Sequence, residues 1–488
     1  MHCLMQHTKD DKIFIVKKST IDNRLDPQFY RINLDLSGFI KLSSIAIVKG
    51  GKRIPKGHGY SDRPTNYYYL RVADMDSDEK IDINNLENIS EEVFSILKRY
   101  EIKQGELAIS IAGTIGKTTI LDKIPKAQRI ILTENCAKIL VRPGIGLLPE
   151  YLKICMSLPI VKRQLDLNYI QTTIPKLGLD KIMGVRIPPI PCIQKQREIV
   201  EYLNTAYSAK KDKEKEAKQL LNGIENYILN ELGIKCHKTE TSIESRIFNI
   251  NLGQINIDRL DSSYFDTKYK ALCECIINGK YPIRSLDELS TFISTGQTPK
   301  SKFYSEVKTN YPIIKAGSYS GFEIDLNKAA YTTCRQPYSV QRGDIFILSA
   351  AHQAEYIAKQ ICYLPVTPAQ NTSFVGELIC IRAKQGVNSL YLFSLLSTTL
   401  YKTLLNREKR GQTSHLYSQD VKRILAPLPP VEIQNRIANN IEKVILRAKQ
   451  LQIEGKEILD KSKQEIERMI TNVSILYFGT CLLYTSDA

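Results

Sequence analysis

The chain has 488 residues, 43% hydrophobic and 25% charged, enough for two or three domains with cores of their own. No apolar run reaches the length of a membrane span, and the opening MHCLMQHTKDDK is polar rather than a secretory leader, so a globular protein of the reducing cytoplasm is expected. A formal net charge of +16 calls for a polyanionic partner, nucleic acid being the commonest, while the 11 scattered cysteines form no Cys-x-x-Cys or metal-ligand spacing.

In chain order, NRLDPQFY (23–30) is followed by the β-rich NYYYLRV (66–72). The acidic DMDSDEKID (74–82) has the spacing of a calcium loop at first. Glu79 stands where the sharp turn requires glycine, however, and Asn85 where a bidentate glutamate belongs, so a solvated acidic loop is expected. Asp78-Glu79-Lys80 lacks the proline-acid partner on a preceding strand that a nuclease pattern would need. KQGELAIS (103–110) then leads into ISIAGTIGKTTI (109–120), which looks like a phosphate-binding loop. Such a loop needs a glycine five places before its Gly-Lys-Thr, where this chain has Ile111, and from Gly113 the turn is too short to encircle a phosphate. CAKILVR (136–142) reads as another strand, QTTIPKLGLDKI (171–182) follows, and PIPCIQKQREI (189–199) opens a helix behind prolines that no strand or helix can cross.

In that helix Ile199, Leu203, Ala206, Ala217, Leu220, Ile224 and Tyr227 keep one 4,3 spacing across the polar Lys210 and Lys213, which is a coiled-coil seam. Asn230 to Gly233 supplies a glycine cap. Past a linker (234–257), the chain repeats itself. DRLDSSYF (258–265) echoes 23–30, QRGDIFIL (341–348) echoes 103–110, GQTSHLYSQDVKRI (411–424) echoes 171–182, and PLPPVEIQNRI (427–437) echoes 189–199. DIFILSA (344–350) and ELICIRA (377–383) read as strands. The second helix carries a matching seam of Ile437, Ile441, Val444, Ala448, Leu451 and Ile458, with Gly455 in register. Two similar stripes, one per repeat, suit helices that pack on each other. The final stretch from Thr471 breaks the register, adds apolar residues without caps and reads as a non-native or out-of-frame tail.

These motifs, RLD-x-x-[FY], G-[ED]-[IL], S-x-x-GTIGK, the threonine-leucine segment and P-[IL]-P-x-[IV]-x-x-Q-x-x-I, resemble the DNA specificity subunits of type I restriction-modification systems over about residues 23–470. The resemblance implies an α+β architecture with an internal duplication. Target recognition domains over 20–190 and 258–430 are separated by spacer helices over 191–233 and 431–470 that form an antiparallel coiled coil, ahead of the tail at 471–488. It also implies a non-catalytic chain that binds double-stranded DNA at a bipartite site and holds methyltransferase subunits, two of them, and restriction or translocase subunits. S-adenosylmethionine and ATP with magnesium would then sit on those partners, with no cofactor or metal on this chain. A helix over 196–232 would span roughly 55 Å, or about 16 base pairs.

By the same resemblance, Gly113, Thr114, Gly116 and Lys117 form a strand-end turn close to DNA. The second unit reads SAAHQAEYIAK (349–359) there, so either the turn is rebuilt or its role is structural. The other candidate DNA contacts are basic, aromatic and polar residues of expected loops: Lys52, Arg53, Lys56, Arg63, Tyr67, Thr172 and Thr173 in the first unit. In the second they are Lys300, Lys302, Tyr304, Lys409, Arg410, Gln412, Thr413, Ser414 and His415. No Asn/Asp-Pro-Pro-aromatic motif for base methylation and no glycine-rich S-adenosylmethionine turn is present. The alternative is a coiled-coil scaffold whose basic domains confer solubility. Salt separates the two, because only phosphate contacts weaken steeply as salt rises.

Overall fold

A computed structural model describes residues 34, 36–75, 81–121, 124–168, 176–236, 250, 262–411 and 414–483; within these, no side chain is described for 84, 168, 263 and 472–483. The first RLD motif, 258–261 of the second, most of the acidic loop, Thr172, Thr173, Gln412 and Thr413 lie outside the described residues. The chain divides into two compact units: Met1–Lys211 with Gly455–Ala488, and Asp212–Glu454. Each unit therefore owns a globular body and a segment of both long helices, Ile193–Glu231 and Val431–Leu483.

In the first unit a four-stranded sheet runs in the order Ala46–Gly50, Cys136–Val141, Leu107–Ser110, Thr118–Ile120, all neighbours antiparallel. A second sheet pairs Tyr67–Leu70 in parallel with Arg129–Leu132. The second unit repeats this plan. Ser290–Thr295, Leu378–Ala383, Ile345–Leu348 and Ile361–Tyr363 follow the same order, and Pro312–Ile314 pairs in parallel with Ser373–Phe374. It adds a hairpin, Tyr319–Ser320 with Glu323–Ile324, to the sheet edge. A two-strand clamp joins the two ends of each body: Ile40 opposite Ile187 and Ile283 opposite Pro427. The four segments read as β-rich or as strands from sequence, 66–72, 136–142, 344–350 and 377–383, all form strands.

The sequence made these central strands almost wholly apolar because each is covered on both faces. Side chains alternate across a strand, so Ile345 and Ile347 enter the core built on helices Ser389–Leu396 and Thr399–Arg407. Phe346 enters a second core with Ile313, Ile314 and Phe374. In the first unit Leu107 and Ile109 likewise face helix Pro149–Ser157, and Ala108 faces Leu70, Ile130 and Leu132.

Helix pairing is antiparallel within each unit. In the first, Ile199 shares a core with Ile466 and Ile470, and Lys210 lies against Gly455. In the second, Ala217 packs with Ala448 and Leu451, and Glu231 pairs with Arg436 at 2.6 Å. Leu203, Leu220, Ile224, Tyr227, Ile437 and Ile441 pack into their own unit's clusters, Ala206 is buried, and Val444 is half-buried. Ile458 needs correction: it is half-buried, and its neighbour Leu459 is the buried residue, followed by Ser462, Ile466 and Ile470. The spacing widens from 4,3 to 4,4,3 at Gly455, which follows the natural 3.6-residue turn instead of a strict heptad. Gly455 is buried against Lys210, where a Cβ would make ordinary contact, 3.4 Å from the Lys210 backbone carbonyl. The first helix ends as its sequence suggests, with Gly233 at φ +66° and its N–H bonded to the Asn230 carbonyl.

Candidate nucleic-acid interface

Three fastenings recur in both units and explain the repeated motifs. The first is the glutamine of the proline motif. Gln196 is fully buried. Its Oε1 accepts the Leu148 N–H at 2.8 Å, and its Nε2 donates to the Gly146 and Pro191 carbonyls, both at 2.8 Å. Gln434, also buried, accepts from Asn388 N–H at 2.8 Å and donates to Pro429 and Gly386 at 2.8 and 3.4 Å. One amide side chain thus locks each body to its own helix. The second is the acid of the G-[ED] motif, which closes a tight turn: Lys103 N–H donates to Glu106 at 2.9 Å and Gln341 N–H to Asp344 at 2.8 Å. The glycines before them, Gly105 and Gly343, take φ of +80° and +92°. Buried Asp344 also pairs with Arg382 at 2.7 Å.

The third fastening was not foreseen from sequence, and it positions the cationic loops. Gly51 and Gly296 run so close to the end of a neighbouring strand that a Cβ would sit 2.1 Å from the Thr133 carbonyl oxygen and 2.2 Å from that of Phe374. Only glycine fits. Two residues on, a glutamate pins each emerging loop. Glu134 accepts Arg53 Nε at 2.6 Å, and Glu377 accepts Thr298 Oγ at 2.8 Å. Burial alone would raise the Glu134 carboxyl, but hydrogen bonds from Thr133 and Arg53 outweigh it and hold it below the usual carboxylate range. The loops so launched carry Lys52, Arg53 and Lys56 in one unit and Lys300 and Lys302 in the other, all exposed. GKRIPK and GQTPK share the glycine and the Pro-Lys pair, the one signal in the sequence for this element.

The remaining candidates fall in several environments. Arg63 is exposed, whereas Tyr67 stacks on Phe94 at 4.8 Å. The 113–117 turn closes the hairpin of Leu107–Ser110 and Thr118–Ile120. Gly113 and Gly116 take φ of +74° and +82°, and buried Ser110 donates to the Thr114 carbonyl and accepts Lys117 N–H at 2.9 Å. Thr114 is exposed, and Lys117 Nζ donates to the Met75 carbonyl at 3.0 Å. The second unit rebuilds the turn as a longer loop with a 3-10 turn at Ala354–Tyr356, and Ala358 takes the left-handed place before the return strand at φ +58°. Lys409 donates to the Ala354 carbonyl at 2.8 Å, and Arg410 pairs with Asp420 at 3.1 Å. Arg410 and His415 close a hairpin through paired backbone hydrogen bonds, with Ser414 at φ +42°.

In the second unit this rebuilt loop, the edge hairpin and the pinned loop surround a cleft of about 1400 Å³. It gathers Tyr304 and His415 from the sequence candidates with Lys315, His352, Gln353 and Lys359, which sequence reasoning missed. Lys315 lies 4.2 Å from the centre of the Tyr304 ring and Lys359 5.2 Å from that of Tyr356.

Fold and surface define a duplicated α+β protein, each copy fastened to paired helices and presenting cationic loops from the same glycine. Residues 36–223 and 278–459 match the family model described as type I restriction modification DNA specificity domain, and the chain belongs to that family. DNA sequence specificity is the property by which the family is described. The chain is 26% identical over 253 residues to the type I restriction enzyme EcoBI specificity subunit of Escherichia coli, a match covering 50% of this chain and 49% of that protein. It thus spans about half the length of that curated relative. Among solved structures it is similar to the type I restriction-modification S subunit of M. genitalium, at 13% identity and TM-score 0.39, covering 88% and 94% of the two chains. It is also similar, at 14% identity and TM-score 0.47, to a chain from a study of complex assembly and conformational transition of the type I R-M system, covering 89% and 97%.

Proposed function

We propose that this chain is the non-catalytic, DNA-reading subunit of a cytoplasmic type I restriction-modification complex. Each unit reads one half of a bipartite duplex site, the helices set the gap, and the chain directs methyltransferase and restriction subunits to it. The observation that supports this most is the double use of one loop-launching device. Gly51 with Glu134 and Gly296 with Glu377 present cationic loops from otherwise divergent bodies. Shared frames with different loop side chains suit two half-sites of different sequence. The 39-residue helix Ile193–Glu231 is roughly 58 Å long at about 1.5 Å per residue, a ruler of many base pairs. S-adenosylmethionine, ATP and magnesium belong in this reading to the partners. Salt titration of duplex binding by the complex tests it. Contact with several phosphates gives a steep linear fall of log affinity with log salt, whereas a flat response favours the scaffold with basic domains.

A further inference from the structure

We infer that the loop 349–360 of the second unit is a specificity-determining element: His352 and Gln353 contact base edges of one half-site, while Lys315 and Lys359 hold the phosphates beside them. This inference rests on the DNA-reading function proposed above. It starts from the place where the two copies differ. In the first unit the hairpin turn is short and closed upon itself, with Ser110 bonded across the turn and Lys117 bonded to Met75. In the second unit the same strand ends open into a loop whose backbone is held, by the 3-10 turn at Ala354–Tyr356 and the Lys409 bond to the Ala354 carbonyl among others, while two of its side chains stay unspent. Its base is fixed by Ser349, bonded to Glu377 through both N–H and hydroxyl, and by Ala358 N–H, bonded to the Leu348 carbonyl at 2.9 Å. At its tip His352 and Gln353 are exposed and make no side-chain hydrogen bond among the described residues. Base-reading groups need this combination of a rigid backbone with polar atoms not already spent inside the protein. A glutamine amide carries a donor and an acceptor in the arrangement that matches adenine N7 and N6.

The cleft these residues edge has the cationic lining that receives a phosphate-bearing ligand. Lys315, Lys359 and Lys402 line it against one carboxylate, Glu377, which is occupied by Thr298. Lys315 and Lys359, each backed by a tyrosine ring, stand on separate segments of the wall. A cation resting on an aromatic face is directed rather than freely swinging, which suits fixed phosphate positions. Lysines hold the backbone and an amide or imidazole reads the edge, so the two pairs should fail differently when removed.

The test is selection of duplexes from a pool with a randomised central tract, using the full chain with its co-expressed methyltransferase, followed by affinity and salt-slope measurements. Wild type enriches a split motif. H352A and Q353A should relax the preference at one or two positions of one half by roughly ten-fold or more and leave the other half unchanged. Q353E should favour cytosine at the position Gln353 reads, since a carboxylate accepts from the cytosine amino group. K315A and K359A should weaken all sequences about equally and lower the salt slope by about one each. All four side chains are exposed, so folding is not at issue, and circular dichroism verifies it. If the double variant H352A/Q353A enriches the wild-type motif in both halves with unchanged affinity, this inference is overturned while the DNA-reading function stands. If wild type enriches no split motif, both fall together.

Discussion

Replacing Gln434 with alanine probes the fastening between body and helix most directly. The side chain is buried and makes three hydrogen bonds, so truncation leaves the Asn388 N–H and the Gly386 and Pro429 carbonyls without their partner. At about 1 kcal/mol net for each bond, the loss is roughly 3 kcal/mol, and more if the orphaned groups stay dry. For a unit of this size that corresponds to a fall in melting temperature of about 6–12 °C. Calorimetry reads the global effect, and amide exchange at Asn388 reads the local one. Asn435→Ala is the control, since its bond to the Asn388 side chain is exposed and its loss should cost under about 1 kcal/mol. A Gln434→Ala protein that melts within about 2 °C of wild type with the Asn388 amide still protected would refute the assigned role of the motif.

Further outcomes follow from the same geometry. Gly51→Ala or Gly296→Ala places a Cβ against backbone carbonyl oxygens at 2.1 or 2.2 Å and should sharply lower stability and soluble yield, measured by urea denaturation. Asp344→Asn removes the buried carboxylate that holds the part-exposed Arg382 and should destabilise by about 1.5–3 kcal/mol in the same assay. The folded Glu134 carboxyl titrates below its ordinary 4.5, so its contribution is present at neutral pH and is lost as pH falls below that value. Glu134→Gln should therefore flatten the stability profile in that acid range. Native alkylation followed by mass spectrometry should label the exposed Cys192 and Cys334 but spare Cys136, Cys155 and Cys362, whose thiols burial pushes up to about 12.

Much of this was legible because it is local or repeated. The strand at 345–348 announced itself by an apolar run after a glycine turn, and the seam residues Ile199, Ala217, Ile441 and Ala448 by their spacing. The glutamine motif was visible as a repeat, but its purpose was not. Its partners Gly146 and Leu148 lie some fifty residues upstream, and nothing local says they meet it. Gly51 and Gly296 escaped notice because what forbids a side chain there is a carbonyl from a distant strand. Ile458 and Leu459 are equally apolar neighbours, and the widening of the spacing to 4,4,3 past Leu451, which turns Leu459 inward, is not marked by any local signal. The cleft needed folding most of all, since Lys315, His352 and Lys359 come from separate stretches with no shared pattern.

The measurement closest to the central claim is long-read mapping of methylated bases in DNA from cells that express this chain with the methyltransferase encoded beside it. The account predicts modification within one split motif of fixed gap, and exchange of residues 23–194 for another unit should alter one half alone. Modification without a split motif, or a stable complex that leaves the DNA unmodified, would contradict it.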